Sequence, residues 1–335
     1  MRWLSAHRCA PTCESGTVVL GVKVCQERLG FLVGNMTCLS EFAHTIVLTA
    51  LFIIGIIGNG FLVVVNVSKL IQKKRMISIE LLLTCLGMSR LGLQILLTLQ
   101  GVLSIFFANV YLRNIYGSLF LFIWMFLNSS SVWFATCLSI FYCLKISGFT
   151  HPSFLWLKFR VSRGMPWMLL GSLLASVVTA ILCACTLDYS LESWPSNTSL
   201  DSSDPEKVVV SDVFLVNLIL MLPLGLFVVC SATLLASLYS HTQRVQSSSS
   251  TLGSPSTEAH IKALRTVTTF ICFFLSYFAA LMVNLTFMVP FRSFWFFFVK
   301  DVMAAYPSGH SVIIILGNSK YQQPFRRILG LTKKP

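Results

Sequence analysis

Residues 43–67 read AHTIVLTALFIIGIIGNGFLVVVNV, with no lysine, arginine, aspartate or glutamate among them. A helix that crosses a bilayer needs about 20 predominantly apolar residues, so this stretch is long enough to span. Six more stretches of the same kind follow, at 81–107, 116–144, 165–187, 213–239, 267–289 and 294–316. All are continuous rather than alternating, which argues against barrel strands of about 10 residues with alternating polarity. The sequence therefore predicts an all-α membrane protein, a seven-transmembrane helix bundle over residues 43–316. Composition points the same way. Of 335 residues, 55% are hydrophobic and 11% charged, and the mean hydropathy is +0.78. A soluble domain is about 25% charged, so a soluble enzyme is excluded, and disorder fails because it requires low hydrophobicity and high charge.

The net charge of +13 would suggest nucleic acid in a soluble chain. Here the position of the charges carries the information, and no nucleic acid partner is expected. Segments after the first, third, fifth and seventh stretches hold sixteen basic residues, among them Lys73, Lys74, Arg75, Lys145, Arg160, Lys262 and Arg326. The three alternate loops hold Arg113, Lys207 and Arg292. The positive-inside rule places the richer set in the cytosol. The expected protein is multi-pass in the plasma membrane, with residues 1–42 as an extracellular N-terminal segment and 317–335 as a basic cytoplasmic tail. Asn197 heads an Asn-X-Thr sequon in the longest outer loop and is the expected glycosylation site. Residues 1–40 do not read as a signal peptide, since Lys23 interrupts their apolar part. Met36 lies just ahead of the first stretch, so an upstream start or a tail with little structure is expected there. None of the eleven cysteines lies in the three outer loops, so no disulfide can tie an outer loop to the third stretch. Nothing in the pattern calls for a metal or another cofactor.

An ionisable side chain at mid-bilayer costs about 2.5–3.5 kcal/mol on insertion scales, so each one calls for a partner or a role. Arg90 needs oxygen acceptors, and Asn59 in the first stretch lies at comparable depth and can supply one. A structural polar lock between helices is the favoured reading of this pair. Lys300 and Asp301 are adjacent, about 100° apart on a helix, so they cannot share one face. For Lys300, snorkelling outward and contact with a ligand stay open. Trp124 and Asn128 are four apart on one helical face. An indole above a carboxamide suits a site for amphipathic small molecules, although chemistry alone favours core packing. Tyr277 is a further buried polar aromatic with the same ambiguity. The ends around Tyr142, Lys145, His241 and Lys262 are basic and flank a Ser-rich linker at 247–257, which makes a plausible docking face for a cytosolic protein. Ordinary anchoring to anionic membrane lipids explains the charge equally well.

Several ordered blocks resemble the bitter taste receptors, the type 2 family of taste G-protein-coupled receptors. They are GIIGNGF at 55–61, LLLTCLGMSR at 81–90, WFATCLSIFYCLKI at 133–146, FLWLK at 154–158, PSTEAH at 255–260, YPSGHS at 306–311 and LGN at 316–318. The resemblance covers roughly residues 42–327. It implies a receptor, not an enzyme, that binds bitter small molecules in the outer half of the bundle and activates a gustducin-type heterotrimeric G protein. By the same resemblance Trp124, Asn128 and Lys300 fall at ligand-binding positions and Tyr277 at one linked to activation. Tyr142, Lys145 and His241 fall on the coupling face. The chain departs from the pattern at Gly253-Ser254-Pro255, where Asp often precedes Pro, and at Arg265, where Lys is frequent. It also lacks the acidic-Arg-aromatic triad and the Asn-Pro motif of rhodopsin-like receptors. A pheromone-type or other seven-helix chemosensory receptor is the nearest rival. A small transporter is disfavoured by the odd span count and the absence of an internal repeat.

Overall fold

The computed structural model describes residues 15–74, 76–106, 114–147, 151–192, 205–248, 255–286, 289, 293–328 and 330. Among the described residues there are helices and no strands. They are α1 (Ser15–Lys73), α2 (Ser78–Phe106), α3 (Asn114–Ile146), α4 (Pro152–Glu192), α5 (Pro205–Ser248), α6 (Pro255–Leu285), α7 (Phe294–Gly317) and α8 (Ser319–Ile328). Each of the seven apolar stretches has its own helix, the sixth ending at Leu285 rather than at 289. α4, α5 and α6 begin on a proline, which has no N–H to leave unsatisfied in the first turn. The Ser293 hydroxyl caps α7 by accepting the Phe296 N–H at 3.1 Å. Asn318 ends that helix and starts the next, its side-chain oxygen accepting the Lys320 N–H at 3.0 Å.

α1 to α6 each contain a window apolar enough to cross a membrane. α7 is more polar, carrying Lys300, Asp301, Tyr306, Ser308 and His310. At about 1.5 Å per residue its 24 residues still exceed the hydrocarbon thickness of about 30 Å. Tyr306, Ser308, His310 and Ser311 are all buried in the bundle, away from lipid.

The two terminal segments carry more helix than their sequence suggests. For residues 1–42 the expectation is an upstream start or a tail with little structure, and from Ser15 onward they continue α1. No proline lies between Pro11 and the first apolar stretch, so none breaks a helix that runs from Ser15 into it. Within the basic tail, Ser319–Ile328 form α8, because Tyr321 and Phe325, four apart, share a face that packs onto the bundle. The Ser-rich linker also shortens: α5 continues to Ser248 and α6 starts at Pro255.

α1 packs on α2 and α7, α6 lies between α5 and α7, and α3 touches α2, α4 and α5. α3 is the central helix, with 56% of its apolar window buried against 22% for α1. The seven cysteines whose side chains are described form no disulfide with one another. α1 and α7 meet at Gly58, where an added Cβ would sit 2.3 Å from the Ser311 hydroxyl oxygen and 3.0 Å from the Ser311 Cβ. Small residues allow such close approach between helices in a membrane. Gly58→Ala is expected to push α7 off α1 at a cost of about 1–3 kcal/mol, seen as a lower unfolding temperature of the solubilised protein.

Candidate functional site

Of the residues singled out by sequence, Asn128 and Tyr277 come together where α3, α6 and α7 meet. Trp124 and Asn128 stack along α3, 7% and 1% exposed. Tyr277 on α6 is buried, and its hydroxyl donates to the Asn128 side-chain oxygen. Its ring stacks on Tyr306 of α7 at 4.5 Å between centroids. Trp124 lies one helical turn, about 6 Å, beyond Asn128 toward the start of α3. The structure thus joins Asn128 to Tyr277 directly and places Trp124 above them. Lys300 is half-buried six residues before Tyr306, with its ammonium 5.5 Å from the Phe296 ring centre. Its side chain runs back along its own helix toward the start of α7. Asp301 turns the other way, to α1, where His44 Nδ1 donates to its carboxylate at 2.7 Å.

Below that junction lies the polar lock, with partners other than those expected. Asn59 is not the acceptor for Arg90. Its side-chain N–H₂ donates to the carbonyls of Gly55 (3.0 Å) and Pro307 (3.1 Å), tying α1 to α7. Arg90, with no exposed surface, donates from Nε to the Ser131 hydroxyl at 3.3 Å and from Nη2 to the Tyr306 hydroxyl at 2.8 Å. Its Nη1 donates to His310 Nδ1. A guanidinium has no acceptor, so that His310 nitrogen carries no proton and the other one does. The imidazole lies between the Phe270 ring at 4.1 Å and the Tyr306 ring at 5.9 Å. The guanidinium carbon also sits 4.7 Å from the Tyr306 ring centre. The physical reason for the correction is packing: α7 presents Tyr306 and His310 one turn apart, directly opposite Arg90. Farther along, Phe227 of α5 stacks on Phe274 of α6 at 3.8 Å, and Phe274 meets Tyr306 edge-on at 5.7 Å. One aromatic array therefore links α5, α6 and α7 to the lock.

At the end of the bundle that carries Lys73 and Ile146, Tyr142, Leu264 and Val267 pack against a cluster of Cys143, Leu234 and Leu238, where α3, α5 and α6 meet. Lys145 is exposed beside it. The side chains of His241 and Lys262, and the whole of Asn197, lie outside the described residues. The same end holds a cluster that sequence reasoning missed. Lys320 donates to the Glu80 carboxylate, whose other oxygen accepts the Ile77 N–H at 3.1 Å. The Tyr321 hydroxyl donates to Asn66 at 2.9 Å, and Asn66 donates to the Glu80 carbonyl at 3.4 Å. Burial pushes the Tyr321 hydroxyl up to about 12, so it remains a donor at physiological pH. Phe325 packs edge-on against Phe61 at 5.1 Å. The cluster fastens α8 to α1 and α2. Its signal in the sequence is the Tyr321/Phe325 spacing next to Asn66 and Glu80, two polar residues in otherwise apolar segments.

The arrangement has known relatives. The family model for taste receptor proteins (TAS2R) matches residues 36–333. Human taste receptor type 2 member 2 is 55% identical over 298 residues, covering 88% of this chain and 98% of that protein. Taste receptor type 2 member 7 of Macaca mulatta is 32% identical over 284 residues, covering 83% and 89%. Human taste receptor type 2 member 8 is 31% identical over 294 residues, covering 86% and 95%. These matches set aside the pheromone-type and transporter alternatives, and the chain belongs to the type 2 taste receptors, the family of bitter taste receptors that its blocks resemble.

Proposed function

We propose that this receptor binds bitter small molecules beside Trp124 and Asn128 and activates a gustducin-type G protein in response. The observation that carries the reading is the bond from the Tyr277 hydroxyl to Asn128. It makes α3 and α6 meet through a polar contact one turn from Trp124, so a ligand that engages Trp124 and Asn128 acts on α6 directly. A ligand shifts a conformational equilibrium only by its differential affinity for the two states, and this contact is where the states would differ. The basic end, with Tyr142, Lys145, His241 and Lys262, faces the cytosol and meets the G protein, while α8 lies along anionic lipid. The N-terminus is then extracellular, and Asn197 is glycosylated.

Lys300 contributes selectivity in this reading, since a partly desolvated ammonium favours oxygen acceptors. A bitter-compound panel is run in cells that carry the G protein, reading calcium release. Lys300→Ala is expected to weaken agonists bearing an anionic or acceptor group by about 10-fold or more and to spare purely apolar ones. Unchanged potency across the panel removes Lys300 from the site. A flat response of the unaltered receptor to every compound overturns the bitter-ligand reading, and a carboxyl-terminal tag stained on intact cells overturns the orientation.

A further inference from the structure

Arg90 is a fully buried cation whose bonded partners, Ser131, Tyr306 and His310, are all neutral. Three carboxylates have described side chains, and none reaches it. Glu80 is held by Lys320, about 15 Å along α2. Asp301 is held by His44 at the opposite end, and Glu41 lies three residues before His44 on α1. An uncompensated charge in a low-dielectric interior costs several kcal/mol. The local hydrogen-bond balance leans the same way. A guanidinium has five N–H donors, and only three take an acceptor here. Ser131 and Tyr306 use their oxygens to accept from Arg90, which leaves their O–H hydrogens to donate elsewhere. The Asn128 amide nitrogen, one turn from Ser131, is buried and has no partner. The unpartnered acceptors Asn59 Oδ1 and Gln94 Oε1 belong to the α1–α7 side of the lock, whose bonds run to Pro307 and Ser308. The Ser129 and Ser130 hydroxyls beside Ser131 are likewise buried without a partner, so Arg90 combines two N–H groups without an acceptor with a positive charge that no described carboxylate offsets.

We propose that Arg90 holds a small monovalent anion, with chloride the physiological occupant, at the junction of α2, α3, α6 and α7, with Asn128, Ser131 and Tyr306 as further donors. Water would satisfy single hydrogen bonds there but would leave the charge uncompensated. A halide does both and needs no donor of its own. Because Asn128 also bonds Tyr277, occupancy would stiffen the link between α3 and α6.

The test uses the full chain purified in lipid nanodiscs, with thermal unfolding followed at constant pH and ionic strength. Replacing chloride by gluconate is expected to lower the unfolding temperature by several degrees, and adding back chloride or bromide is expected to restore it along a saturable curve. Arg90→Met is expected to abolish the halide dependence. Asn128→Ala is expected to shift the half-saturating halide concentration upward by about 10-fold. Should Arg90→Met fail to fold, Asn128→Ala and Tyr306→Phe decide the matter by the same titration. The proposal is overturned if the unaltered receptor unfolds at the same temperature in chloride and gluconate. It is equally overturned if the halide curve is identical in these variants. A bromide soak should place an anomalous peak beside the guanidinium, and a peak only on the surface reads as an adventitious ion only and counts against the site.

Discussion

Tyr306→Phe is expected to destabilise this receptor by about 1.5–3 kcal/mol, the scale of a hydrogen bond to a charged group in a protein interior. The change removes one oxygen and leaves the ring. The stacking of Tyr306 on Tyr277 and the guanidinium over its face therefore survive. What disappears is the acceptor for Arg90 Nη2 at 2.8 Å. A buried guanidinium cannot shed its proton in compensation, and Arg90 has no exposed surface of its own through which to meet bulk water. Removing the cation instead should give a different pattern. In Arg90→Met the neutral partners lose a donor but no charge is stranded, so adding Tyr306→Phe to Arg90→Met should cost much less than Tyr306→Phe alone. That non-additivity separates the hydroxyl's bond to Arg90 from its packing. Thermal unfolding of the solubilised single and double variants measures it. Equal losses in both backgrounds would mean that Arg90 does not depend on Tyr306.

The spans are legible in the sequence because a bilayer imposes length and apolarity on each helix independently of its neighbours. α7 is legible for the same reason, despite Lys300, Asp301 and His310, since its polar residues interrupt the apolar ones without shortening the run. Partners are a different kind of information. Arg90 announces a need for acceptors by its chemistry, but its acceptors Tyr306 and His310 lie 216 and 220 residues away. Which helix faces which is set by packing, and Asn59, similar in depth, turns out to serve Pro307. The pair Trp124 and Asn128 is legible as a common face through the helical repeat, whereas the bond to Tyr277 required the third dimension. α8 hides for a further reason. Ten residues with Pro324 inside and three basic side chains read as a tail, and the contacts of Tyr321 with Asn66 and of Phe325 with Phe61 show that one face is docked.

Tyr277→Phe is expected to weaken agonist potency by about 10- to 100-fold, corresponding to about 1.4–2.8 kcal/mol, in the range for stranding a buried polar group. The hydroxyl is the partner of the Asn128 oxygen, and the Asn128 nitrogen already has none. Its loss leaves a carboxamide, 1% exposed, without a protein partner at either end. Loss of stability alone would also reduce signalling, so the second variant carries the argument. Asn128→Leu removes the stranded group, and replacing both partners of a buried hydrogen bond by apolar groups of similar shape is close to neutral. The double variant Tyr277→Phe/Asn128→Leu should therefore regain unfolding temperature relative to Tyr277→Phe. If the polar contact carries agonist binding from α3 to α6, the same double variant should remain poor at calcium release even at matched surface abundance. Recovery of both stability and potency would reduce the contact to packing. Recovery of stability without potency would assign the hydroxyl and the carboxamide to agonist binding or its transmission rather than to packing, which is the outcome the geometry of α3, α6 and α7 leads us to expect.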